Sequence, residues 1–206
     1  MSHWPDRRIL DLLGIELPIL QAPMAGATGS AMAIAVGLAG GLGALPCAML
    51  SGEQVRAEIA AFRAGCPGRP LNLNFFCHQP PAPDAERDAR WKQALEPYYS
   101  EVGADFAAPT PVSNRAPFDE QSCLLVEALR PEVVSFHFGL PQAELLQRVK
   151  ASGAKVLSSA TTVEEAAWLE RNGCDAIIAM GYEAGGHRGM FLSDDITSQI
   201  GTCLLY

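Results

Sequence analysis

The sequence predicts an α/β fold of the TIM (β/α)8-barrel type, incomplete, with about six β/α units present in its 206 residues. Three observations carry this. Short apolar runs alternate with helical stretches along the chain, the pattern of a parallel sheet with covered faces. Pro-Met, Asn-x-Asn, His-Phe-Gly, Ser-Ser and Gly-x-Glu-Ala-Gly-Gly-His each stand at the C-terminal end of a different run, and a barrel builds its site from residues at those ends. A doubly wound sheet would concentrate them near one switch point, and no GxGxxG follows the first run.

The elements follow in order. Residues 17–21 (LPILQ) are a first strand, ending at Ala22-Pro23-Met24. Residues 30–38 form a helix of small residues that Gly40-Gly41 ends, and 42–45 are a second short strand. Ser51 caps a helix over 52–63, with Gln54 as its capping-box partner three residues on. Residues 70–76 (PLNLNFF) are a third strand. The stretch at about 77–117 is the least regular: Pro80, Pro81 and Pro83 stand at one end and Pro109, Pro111 and Pro117 at the other, with a helix over 85–102 between them. It reads as an inserted excursion from a single domain spanning 1–206, either a lid or substrate wall or a mobile decoration. Alternation then resumes: a helix at 120–129, a strand at 133–137 (VVSFH), a helix at 142–150 and a strand at 155–159 (KVLSS). Thr162 caps a helix over 163–171, with Glu165 in the capping-box position, and 176–180 (AIIAM) are the last strand.

Composition removes several function classes. Hydrophobic residues make up 49% and charged residues 18%, the balance of a globular protein, and the net charge is −8. An acidic chain without a Lys/Arg cluster is a poor partner for nucleic acid or anionic lipid, although backbone N–H groups still suit a phosphate-bearing cofactor. The most apolar stretch, 31–50, is interrupted by glycines and a proline and is not a membrane span. Six cysteines are scattered without a CxxC pair, and residues 1–10 do not resemble a signal peptide, so reduced thiols in a cytoplasmic protein are expected. His3, His78, His137 and His187 are dispersed, without metal-ligand spacing. No Ser nucleophile elbow is present.

Three constellations carry chemistry. The loop at 181–189 (GYEAGGHRG) has four glycines, a Glu and a His just after a strand, which suits close backbone approach to a flat ring or a phosphate; its plain alternative is a βα turn. His137 ends an apolar strand, where an imidazole can serve as general base or simply be a satisfied core residue. Asn72 and Asn74, at period two, share one face of their strand, the barrel interior, where their amides meet either a ligand or nearby backbone.

The segments QAPMAG (21–26), GGLGALP (40–46), NLNFF (72–76), SFHFGLP (135–141), LSSATTVEEA (157–166) and GYEAGGHRGMF (181–191), in this order, resemble the nitronate monooxygenase family. The resemblance implies a TIM barrel with non-covalent FMN that oxidises alkyl nitronates with O2 to a carbonyl compound and nitrite. It implies that His137 meets the substrate carbon, acting as base on a neutral nitroalkane, with His187 beside the substrate. Ala22, Pro23, Met24, Asn72, Asn74, Ser158, Met180, Gly181, Gly185 and Gly186 are implied to line the cofactor. Many members carry Gln where this chain has Met180, which cannot donate a hydrogen bond. Family barrels continue through two further strands whose loops hold the FMN phosphate, and SQIGTCLLY at 198–206 matches either the helix after the glycine loop or a displaced last strand. An FMN-dependent enoyl-thioester reductase and an inactive remnant are the alternatives. A homodimer stays open.

Overall fold

The computed structural model describes residues 4–109 and 116–205; His3, Pro111 and Tyr206 lie outside them. Its sheet contains five strands, all parallel and in sequential order: β1 (Gly43–Pro46), β2 (Leu71–Phe76), β3 (Val133–His137), β4 (Lys155–Ala160) and β5 (Ala176–Ala179). Helix α1 (Arg8–Leu13) precedes the sheet and α2 (Ser30–Leu38) leads into β1. Helix α3 (Gly52–Gly65) joins β1 to β2. Helices α4 (Ala85–Ala94) and α5 (Glu96–Glu101) lie between β2 and α6 (Glu120–Leu129). Helix α7 (Ala143–Ala151) joins β3 to β4, α8 (Val163–Arg171) joins β4 to β5, and α9 (Thr202–Leu205) comes last.

The chain divides into two compact units, one formed by 1–78 with 115–206 and the other by 79–114. The smaller unit is α4, α5 and the following turn. Asp84 caps α4 by accepting the Arg87 N–H at 2.9 Å, and Lys92 lies over the Phe106 ring. The single helix expected over 85–102 is broken at Leu95. Pro97 has no N–H to continue the ladder, and its ring crowds the carbonyl four residues back.

Helix starts in the larger unit follow capping chemistry. Ser51 Oγ accepts from the Gln54 N–H at 3.2 Å while Gln54 Oε1 accepts from the Ser51 N–H at 2.8 Å, the reciprocal pair the spacing predicts. Asp119 and Thr162 cap α6 and α8 by accepting from Ser122 and Glu165 N–H. The end of the chain folds as the short helix α9, not as a strand.

Strand register divides the sheet into two chemically different faces. Leu45, Leu73, Val134 and Val156 lie side by side, with Phe75 and Phe136 following, and meet Val55, Ile59 and Phe62 of α3, Val126 of α6 and Val149 of α7. At about 1.5–3 kcal/mol for each fully buried aliphatic or aromatic side chain, this helix-facing layer is the main stabilising contact of the unit. The opposite, inner face is apolar at its base, where Leu42, Val133 and Leu157 pack on Leu10 and Leu13 of α1.

Two strand expectations are corrected. Residues 17–21 pair with the sheet through one bridge, Leu20 to Leu42, with Gln21 N–H donating to Leu42 and Leu42 N–H to Ile19. Pro18 has no donor, and Ile19 stands 57% exposed with no strand among the described residues on its other side, so a ladder does not extend. Strand β5 is an edge, and Ile177 and Ile178 are exposed rather than buried. No helix among the described residues is long and apolar enough to cross a membrane.

Candidate active site

Above its apolar base, the inner face becomes polar. Asn72 and Asn74 project from β2 toward Ser135 of β3, as their spacing requires. Both amides donate to the Ser135 hydroxyl at 2.9 Å, and Asn74 also reaches the Ser135 carbonyl at 3.3 Å. A hydroxyl oxygen has two acceptor positions, so Ser135 satisfies both donors and fixes both side chains. The Asn72 Oδ1 is buried with no partner among the described residues. At the β1 edge, Gln21 performs a related task. Its side-chain amide donates to the Ala44 carbonyl and accepts the Ala44 N–H, each at 3.1 Å. It thereby takes the place of a backbone peptide just where the chain turns away at Ala22.

The next layer, at the C-terminal ends of the strands, holds Phe76, His137 and Ser159 side by side. His137 Nδ1 lies 2.7 Å from Ser159 Oγ. Around the imidazole stand Phe138 at 4.5 Å between ring centroids, Phe76 at 5.9 Å and His187 at 6.3 Å. Phe138 adopts a left-handed backbone (φ 68°) and Gly139 follows at φ 88°, so the chain turns sharply directly after His137. For a bulky residue such a φ is strained and persists only where its surroundings hold it. Ser158 provides part of that hold. Its hydroxyl donates to the carbonyls of Gly139, at 2.8 Å, and Phe136, at 3.2 Å.

Burial pushes the His137 pKa down to about 4. The neighbouring His187 adds to this, while a hydrogen bond with the His187 backbone and the charge of Glu165 act the other way. The ring is therefore uncharged at neutral pH.

The glycine-rich loop covers this layer. A Cβ placed on Gly189 would lie 2.6 Å from His137 Cε1 and 3.2 Å from Met180 Sδ, so only glycine lets the backbone approach the ring this closely. Gly186 has φ 85°, and neither it nor Gly185 has an atom within 4 Å of where a Cβ would stand. Gly181 is closed in: its N–H donates to Thr202 Oγ1 at 3.2 Å, and Glu183 accepts the Thr202 N–H at 3.0 Å. The far end of the loop is tied to α8, where Glu165 accepts the N–H of Phe191 at 2.7 Å and of Leu192 at 3.2 Å.

The structure thus brings His137, His187 and Met180 together under Gly189, with Asn72 and Asn74 in the layer beneath. Ala22, Pro23 and Met24 follow Gln21 in a loop where Thr28 Oγ1 donates to the Met24 carbonyl, and Met24 is 45% exposed. Ser158 does not join them. It is fully buried on the helix-facing side, and the serine that shares a face with His137 is its neighbour Ser159. Adjacent residues of a strand face opposite ways, so a Ser-Ser pair offers one to each face. Gln21 and Gly189 are not singled out by the sequence, Glu165 is read there only as a capping-box partner and Ser159 only as half of the Ser-Ser pair, although all four fall inside the quoted motifs. A surface cavity of about 300 Å3 near Gly26, Thr28, Pro46 and Glu58 has none of the His137 cluster in its wall.

Comparison with known proteins gives this geometry a context. The family model described as nitronate monooxygenase matches residues 6–205. This chain belongs to the nitronate monooxygenase family. Among curated family members it is 42% identical over 202 residues to the nitronate monooxygenase of Paraburkholderia phytofirmans, covering 97% of this chain and 54% of that protein. It is 43% identical over 201 residues to that of Pseudomonas aeruginosa, covering 96% and 56%. This family member therefore spans about half the length of the curated relatives it matches. Among solved structures, nitroalkane oxidase from Streptomyces ansochromogenes superposes with a TM-score of 0.82 at 34% identity, over 96% of this chain and 55% of that one. FabK from Thermotoga maritima superposes less closely, at a TM-score of 0.63 and 26% identity, over 89% and 47%.

Proposed function

We propose that this chain carries the imidazole side of an FMN-dependent site that oxidises alkyl nitronates with O2 to a carbonyl compound and nitrite. The observation that carries the reading is His137: an uncharged imidazole at the mouth of a parallel sheet, hydrogen-bonded to Ser159 and covered by the glycine-rich loop, in a chain of this family.

The residues fit a flavin. Asn72 Oδ1 is a buried acceptor without a partner among the described residues, ready for a ring N–H. The open Gly185-Gly186 backbone suits close approach of a planar edge. Ala22, Pro23, Met24 and Met180 offer it apolar contact, and Asn74 steadies the donor layer. Ser158 has both its hydroxyl and its position committed to the other face, and Gly181 is filled in by Glu183 and Thr202, so neither is retained among the cofactor contacts. When bound, FMN supplies the electron acceptor that O2 reoxidises.

The protein's own share is binding and proton control. Phe76 and Phe138 provide apolar wall for an alkyl group, and His187 stands opposite His137 across the same cluster. With its pKa near 4, His137 keeps a lone pair at neutral pH and can take the α-proton of a neutral nitroalkane. A nitronate is already an anion. It needs no proton removed, so this base is dispensable for it. The six scattered cysteines suit a cytoplasmic setting.

The test compares both substrates on FMN-loaded protein. His137→Asn is expected to cost about 10²–10⁴-fold on the neutral nitroalkane while largely sparing pre-formed nitronate; equal losses on both overturn the assignment. An enoyl-thioester reductase would instead consume NAD(P)H with an enoyl thioester. The likeness to the enoyl reductase domain of MlnA, at 16% identity, extends to the fold alone.

A further inference from the structure

Glu165 is among the most deeply buried charged side chains of the chain, at 1% exposure. Its position three residues after Thr162 matches a capping box, in which it would reach back to the Thr162 N–H. The structure shows something different. Oε2 accepts the N–H and the hydroxyl of Thr161 at 2.7 and 2.8 Å, and Oε1 accepts the N–H of Phe191 and Leu192 at 2.7 and 3.2 Å. All four partners donate, as a carboxylate requires. One oxygen thus serves the β4–α8 turn and the other serves the end of the glycine-rich loop.

The loop end it holds is the part that reaches His137. Phe191 packs on Trp168 of α8 at 5.3 Å between ring centroids, and its ring fills the space beside Gly139, where a Cβ would lie 3.0 Å away. Two residues earlier, Gly189 is pressed against the imidazole. We propose that Glu165 is a positioning residue: by clamping Phe191 and Leu192 it seats Gly189 and His187 over His137 and keeps that ring out of water. The inference rests on His137 being the group that meets substrate.

The direction of the effect on His137 follows from the relative size of its influences. The titratable or charged groups facing it are His187 from the loop and Glu165 from α8, with His78 in the adjoining aromatic cluster. Burial is the largest influence and the charge of Glu165 the smallest. If Glu165 acts through the loop, removing it admits water and carries His187 away, and the His137 midpoint moves up toward its ordinary 6.5. If Glu165 acts only through its charge, the midpoint moves down. If it merely supports the fold, the midpoint does not move.

Glu165→Met keeps the volume and removes the acceptors. The experiment follows the His137 imidazole by NMR titration in the 206-residue chain without nitronate or flavin, together with limited proteolysis across 181–191. The expected result is a rise in the midpoint and a cleavage rate about tenfold or more higher, the scale on which losing a charge-assisted hydrogen bond changes local opening. Glu165→Gln, which keeps one acceptor, falls between wild type and Glu165→Met. Thr161→Ala removes a bond to Glu165 without touching the loop and leaves both readouts unchanged. A midpoint that stays or falls in Glu165→Met overturns the proposal. Should that variant not fold, hydrogen exchange in the wild type decides: Phe191 and Leu192 amides must exchange far more slowly than those of Gly185 and Gly186, and equal rates overturn it. Because neither readout involves turnover, a failure of nitronate chemistry would leave them intact.

Discussion

Acid should destabilise this protein through His137, and the size of the effect can be worked from its surroundings. In the unfolded chain the imidazole has its ordinary pKa of 6.5, and in the folded site burial holds it at about 4. Between those values the unfolded state binds a proton that the folded state refuses. Stability from this source is therefore complete above about pH 6.5 and is lost progressively as pH falls toward 4. The full span corresponds to about 3 kcal/mol, a large fraction of the roughly 5–15 kcal/mol by which a domain is stable. The perturbation is His137→Gln, which keeps a polar side chain but does not titrate in this window. Surface carboxylates held low by their partners, such as Asp6 beside Arg8 and Glu127 beside Arg148, also lose stability in acid, but equally in both proteins. Urea unfolding at about pH 7, 5.5 and 4, with the slope m checked for constancy, should show wild type losing about 3 kcal/mol more than His137→Gln. Parallel decline of the two proteins would refute the argument that burial governs this imidazole.

Further expectations concern the inner face. Ser135→Ala removes the hydroxyl that receives both Asn72 and Asn74, of which Asn74 keeps the Ser135 carbonyl at 3.3 Å; with a buried unpaired donor costing about 1–3 kcal/mol, urea unfolding should show a loss of about 1–3 kcal/mol. Gly189→Ala places a methyl 2.6 Å from His137 Cε1; the ring or the loop must shift, and nitronate turnover by FMN-loaded protein should fall by about tenfold or more, since small misplacements of reacting groups are costly. Met180→Gln introduces an amide beside the same ring, and a gain of about 0.5–1.5 kcal/mol in FMN affinity or a shifted flavin spectrum is expected; neither change would mean that this side chain does not face the flavin.

Local and strongly patterned features were legible in the sequence. The Ser51–Gln54 box, the helix over Ser30–Leu38 and the shared face of Asn72 and Asn74 follow from spacing alone, because each depends on residues within a few positions of one another. Features set by distant partners were not. The ladder expected over 17–21 needed a second neighbouring strand and a donor at Pro18, and it shrank to one bridge. Ser158 and Ser159 are equivalent by composition, and only strand register assigns one to His137. Glu165 occupied the capping-box position, so a short-range rule explained it completely and concealed its attachment to residues 26 and 27 positions away. The interruption at Leu95 was readable from Pro97 but was outweighed by the helical composition around it.

The side-chain amide of Gln21 has one more consequence. A strand edge ordinarily advertises its free N–H and C=O groups to any extended segment that drifts past, and such pairing propagates because each new residue presents the next pair of groups. At Ala44 both groups are already engaged by a side chain, and a side chain has no successor. The ladder along this margin therefore has a built-in stop. Leu42 below it is paired to the incoming backbone, and Ala44 above it is sealed, so a foreign strand finds no continuous row on which to grow. A single glutamine thus lets the main chain leave the sheet early to form the loop at 22–29 while denying the vacated margin to aggregation.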